Sequence, residues 1–78
     1  SFTILDESDQ TTVVKRCMKE LNVSGDMFKP PSVLAAIGSA KNELTDVDDF
    51  RENARDVRQR TIAQVYEAYQ RTLVTGNA

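Results

Sequence analysis

Apolar residues return along this chain at helical intervals. Val14, Cys17, Met18 and Leu21 fall at i, i+3, i+4 and i+7, the spacing of one face of an α-helix. Val13 and Val23 widen that face or cover its end, while Lys15, Arg16 and Lys19 lie off it. Asp6 is a suitable N-cap, and Glu7 and Asp9 sit in the first turn, where the helix dipole favours negative charge. These features predict a helix over 7–21, stopped by the stretch Asn22 to Lys29 with Gly25 inside it.

Pro30-Pro31-Ser32 opens a second helix, because a proline in the first turn forfeits only an N–H that would be unpaired there anyway. Its stripe is Val33, Ile37, Ala40 and Leu44, flanked by Leu34 and Ala36, and predicts a helix over 31–44. Gly38, Ser39 and Ala40 are small enough to admit a close neighbour, and Met27 and Phe28 are expected to plug the end of the core. A third segment, 46–54, starts at Thr45 or Asp46 with Asp48 and Asp49 behind it, and Phe50, Ala54 and Val57 continue one face. Ile62, Val65, Tyr66, Tyr69 and Leu73 form the cleanest stripe, within a predicted helix over 56–74. One continuous helix over 46–74 is the alternative, but the polar stretch Arg55 to Arg60 favours a break near 54–56. Gly76 and Asn77 end the pattern, and Phe2 to Leu5 reads as an extended lead-in. The expected fold is an all-α bundle of three to four helices, a single helical subdomain over 1–78.

Composition narrows what such a bundle can do. Seventy-eight residues allow one small domain with a modest core. Histidine is absent, which removes His-based acid–base catalysis, Ser/His triads and imidazole metal sites together. Cys17 is the only cysteine, so no internal disulfide can form and a structural zinc site lacks ligands. Gly25, Gly38 and Gly76 are isolated and none precedes a Lys-Ser or Lys-Thr pair, so no phosphate-cradling loop exists. No apolar run is long enough to span a bilayer and no signal peptide is visible. The chain starts at Ser1 without Met, as excision from something longer, Met removal or tag cleavage would each leave it. By itself it is not expected to be an enzyme.

The charge pattern leaves two readings open. Ten basic residues against twelve acidic ones give a net charge of −2, against the basic excess of a freestanding DNA-binding domain. On a continuous helix Arg51, Arg55 and Arg58 would form one basic stripe with Arg60 nearby, and Arg suits phosphate through its planar fork of donors. The competing reading is a solvated face of ion pairs, Asp48–Arg51, Glu52–Arg55 and Asp56–Arg60. Lys41 and Asn42 could meet phosphate or sugar, or simply finish a helix. Lys15 and Lys19 read as solvated. Tyr66 and Tyr69 could stack on bases but their spacing favours the core, and Cys17 reads as a small buried hydrophobe. Asp46, Asp48 and Asp49 are expected as helix N-terminal charges, since the glycine and closing Glu of a calcium loop are missing.

Three segments carry a family resemblance. Phe2-Thr3-Ile4-Leu5-Asp6-Glu7-Ser8-Asp9-Gln10 resembles the Phe-x-Ile-Leu-Asp-x-x-Asp-Gln start of the 1B subdomain in superfamily-1 helicases of the UvrD/Rep/PcrA type. Ser39-Ala40-Lys41-Asn42-Glu43-Leu44 resembles the Ala-Lys-Asn-Glu-Leu segment of that subdomain, and Val65-Tyr66-Glu67-Ala68-Tyr69-Gln70-Arg71 its Val-Tyr-x-x-Tyr-Gln long helix. Together they cover the chain nearly end to end. The resemblance implies a bacterial, cytoplasmic, nucleoid-associated parent: an ATP- and magnesium-dependent 3′–5′ DNA helicase of repair or replication. Its ATP site would lie outside this chain, so no cofactor is expected within it. The 1B piece would engage duplex or junction DNA, with the remaining helicase domains and DNA repair proteins as further partners. The expected DNA-contact residues are Lys29, Lys41, Asn42, Arg51, Arg55 and Arg58. Family members often carry lysines in the loop after the first helix, whereas Asn22 to Lys29 here offers only Lys29. The alternative is a helical protein-interaction or scaffold module with no direct DNA contact.

Overall fold

The computed structural model describes residues 6–75. Four helices follow in order: α1 (Glu7–Glu20), α2 (Pro30–Asn42), α3 (Val47–Glu52) and α4 (Val57–Thr75). The chain is an all-α bundle in which α1, α2 and α4 pack on one another and α3 packs against α4. The lead-in at Phe2 to Leu5 and the stop at Gly76 and Asn77 fall outside the described residues.

Aspartates start three of the helices. The backbone N–H of Asp9 donates to Asp6 Oδ1 at 2.8 Å, that of Asp49 to Asp46 Oδ1 at 2.8 Å, and that of Gln59 to Asp56 Oδ1 at 2.8 Å. Each bond satisfies one of the N–H groups a helix leaves unpaired at its start. At α4 the Gln59 side chain returns the favour one residue out, accepting the Arg55 N–H at 2.9 Å. The polar run around Arg55 is therefore a helix start with its own cap, and it separates α3 from α4.

The core is built from the expected stripes, except that Leu21, the C-cap residue just past α1, is exposed and stays out of it. Val13, Val14, Cys17 and Met18 of α1 meet Val33, Ile37 and Ala40 of α2 and Val65, Tyr66 and Tyr69 of α4. A fully buried valine or isoleucine contributes about 1.5–3 kcal/mol, so this three-helix seam dominates stability. The Cys17 thiol lies 3.8 Å from Thr72 Oγ1, whose own hydroxyl donates to the Ala68 carbonyl at 2.9 Å. That leaves the thiol as donor. Burial pushes the Cys17 thiol above its ordinary value, so the thiolate is disfavoured and the group packs as a small hydrophobe. Tyr66 crosses Phe50 edge to face, with centroids 5.9 Å apart, and this fastens α3 to α4.

Several expectations fail for identifiable reasons. Leu44, assigned to the α2 stripe, is 90% exposed and lies beyond the helix, because the chain turns left-handed there. Met27 is exposed; Phe28 alone of that pair packs on the core. Val57 is exposed at the start of α4 and does not extend the face of Phe50. At Gly38 an added Cβ would meet nothing within 4 Å, so no neighbour makes a close approach there.

The ends of α1 and α2 share one geometry. Asn22 (φ 59°) and Leu44 (φ 58°) both occupy the left-handed region. After α1, Val23 N–H donates to Met18 O at 2.8 Å and Asn22 N–H to Lys19 O at 3.1 Å. After α2, Thr45 N–H donates to Ala40 O at 2.8 Å and Leu44 N–H to Lys41 O at 3.1 Å. Both are Schellman turns.

Candidate nucleic-acid interface

The six candidate residues do not share one helix face. Lys29 precedes α2 as its N-cap residue; Lys41 and Asn42 end α2; Arg51 lies on α3, Arg55 between helices and Arg58 in the first turn of α4. Because α3 stops at Glu52, the run Arg51, Arg55, Arg58 is not a continuous helical stripe. All six are exposed.

What each cation touches divides them. Arg51 Nη2 lies 2.7 Å from Glu67 Oε2 and its Nη1 3.7 Å from Asp48 Oδ1, so two carboxylates oppose its charge. Glu67 also draws Arg71, at 3.7 Å. The side chains of these pairs are half-exposed or more, and such surface pairs contribute roughly 0–1 kcal/mol. Lys41 and Arg58 lie over aromatic rings instead. Lys41 Nζ is 5.7 Å from the Tyr69 centroid and Arg58 Cζ is 5.4 Å from that of Phe28. A ring face orients a cation without cancelling its charge. Both therefore keep their full positive charge available to an outside anion. Lys41 also lies in the last turn of α2, where the dipole favours a cation.

Among the described residues, Lys29, Arg55 and Arg60 form no ion pair, so the expected Glu52–Arg55 and Asp56–Arg60 pairs do not form while Asp48–Arg51 does. The Asn42 amide makes no side-chain hydrogen bond within those residues. Asp46 is a cap and Asp48 an ion-pair partner. Among the described residues no three of His, Cys, Asp and Glu gather as a metal site would require.

Tyr66 and Tyr69 are buried, as their spacing predicts, and so offer no open face to a base. They shape the surface from beneath. Tyr66 OH donates to the Thr45 carbonyl at 2.9 Å and fixes the turn after Lys41 and Asn42, while Tyr69 carries Lys41. Burial, and after it the Asp46 carboxylate, raises the Tyr66 pKa; burial raises that of Tyr69. Sequence reasoning missed Glu67 as the acceptor that holds Arg51, sixteen positions away in the chain. It also missed the rings beneath Lys41 and Arg58. Neither has a local signal, since both depend on α4 lying against its neighbours.

The model of the UvrD/REP helicase N-terminal domain matches residues 1–78, the whole chain. The chain belongs to the UvrD/Rep helicase family. Among its relatives, the ATP-dependent DNA helicase PcrA of Bacillus subtilis is 40% identical over 74 residues, covering 95% of this chain and 10% of the relative. PcrA of Staphylococcus epidermidis is 37% identical over 78 residues, covering 100% of this chain and 11% of the relative. PcrA of Leuconostoc citreum is 38% identical over 73 residues, 94% of this chain and 10% of the relative. The chain thus spans about a tenth of the helicases it matches. No solved structure matches it. Among the described residues of this UvrD/Rep family chain, no helix is long and apolar enough to cross a membrane.

Proposed function

We propose that this chain is the 1B subdomain of a UvrD/PcrA-type ATP-dependent 3′–5′ DNA helicase, and that it engages duplex or junction DNA during unwinding in repair or replication. ATP and magnesium belong to the motor outside this chain, and the partners are DNA, the remaining helicase domains and DNA repair proteins. The setting is the bacterial cytoplasm and nucleoid. The observation that carries the reading is that Lys41 and Arg58 are exposed, oriented over rings and not neutralised by carboxylates. Asn42, beside Lys41, adds a donor suited to phosphate or sugar. Arg51 is the weakest of the six candidates, because Glu67 and Asp48 already oppose its charge.

A second reading, a protein-interaction or scaffold role without DNA contact, is favoured by one observation, the exposure of Leu44. Fluorescence anisotropy with a labelled duplex bearing a 3′ single-stranded tail separates the two. Direct contact gives weak binding at low salt that falls further as salt rises, with a log–log slope of about −0.9 for each phosphate neutralised. Absence of binding even at low salt would leave the scaffold reading.

A further inference from the structure

Leu44 breaks two local rules at once. Its φ of 58° places a side chain with a γ-branch where Gly or Asn is favoured, and 90% of its surface is exposed. The structure nonetheless fixes the corner firmly. Two Schellman bonds close it, and Tyr66 OH holds the next residue's carbonyl at 2.9 Å. Asn42 and Glu43 are exposed beside it, with Lys41 on the preceding turn. The result is one rigidly presented apolar side chain inside a polar rim, the pattern of an anchor residue in an interface.

We propose that the Leu44 corner seats in an apolar socket on another domain of a longer helicase polypeptide. This rests on the reading of the chain as a subdomain of such a helicase. One leucine and its three neighbours fall far short of the roughly 800 Å² per partner that a free-standing complex needs. A covalently tethered partner needs no such area, because linkage supplies a high effective concentration. The relatives are about ten times longer than this chain, so most of their surface lies in domains outside the matched segment. DNA is a poor occupant for this socket role, since the leucine offers phosphate nothing and Glu43 repels it.

The test places a photo-crosslinking benzoylphenylalanine at position 44 in the complete natural polypeptide, with and without tailed duplex. The expected product is an internal crosslink to a segment outside residues 1–78, unchanged by DNA. A crosslink between two copies, a crosslink to DNA, or none at all would overturn the proposal. If the natural polypeptide contained no further domain, the underlying subdomain reading would fail instead, a result visible from its mass alone. Leu44→Asn gives an independent readout: the unfolding midpoint of the 78-residue chain rises by about 4 °C, while that of the complete polypeptide falls. A rise in both would also overturn the proposal.

Discussion

The corners after α1 and after α2 have the same backbone and different residues. Each ends in a Schellman turn with matching hydrogen bonds and a φ within a degree of the other. After α1 the left-handed residue is Asn22, a residue that tolerates this region, and Val23 next to it packs on the core. After α2 the left-handed residue is Leu44, which does not tolerate it well, and the residue beyond is Thr45, held through its carbonyl by the Tyr66 hydroxyl. The first corner is stabilised by its own sequence. The second is imposed by a tertiary bond against local preference, and it is the one beside Lys41 and Asn42. Departures from local preference in an otherwise consistent chain mark places where something besides folding constrains the residue.

That comparison is sharpened by moving the residues. Asn22→Leu should destabilise the chain by about 1–2 kcal/mol, because it introduces at the first corner the strain already present at the second; urea unfolding measures it. Tyr66→Phe should cost about 1–1.5 kcal/mol by removing the bond to the Thr45 carbonyl, and amide exchange at Leu44 and Thr45 should accelerate more than at Asn22 and Val23. Equal acceleration at both corners would break the distinction. Leu44→Asn should stabilise by about 1 kcal/mol, a change opposite in sign to Asn22→Leu. The smallest effect is at alkaline pH. The folded Tyr66 pKa is raised above the ordinary 10.0, so its contribution is complete below that value and lost as pH rises through the folded pKa. Tyr66→Phe should therefore flatten the loss of stability above about pH 10, in part only, because Tyr69 and Cys17 titrate in the same direction.

Much of the fold was legible because helical periodicity and caps are local. Asp6 and Asp46 were recognisable as N-caps, and Val14, Cys17, Val33, Ile37, Val65 and Tyr66 as core, from spacing alone. The same spacing misled at Leu44, which continues the α2 stripe by number but lies past the last turn, where a left-handed residue ends the helix. It misled again at Val57, since the Asp56 cap starts a new helix and resets the face. The candidate site was less legible. Six basic or polar positions could be named, but which of the cations a carboxylate opposes depends on Glu67 reaching Arg51, and which are propped depends on Tyr69 and Phe28 lying beneath Lys41 and Arg58. Those are contacts between elements, and no pattern within one element encodes them.

The most direct test is the salt dependence of DNA binding, measured as the slope of log affinity against log salt for the chain and two single variants. The expected result is that Lys41→Ala reduces the slope by about 1, the loss of one phosphate contact, while Arg51→Ala leaves it unchanged. A slope reduced by Arg51→Ala and untouched by Lys41→Ala would contradict the proposal that Lys41, and not the carboxylate-paired Arg51, meets a phosphate.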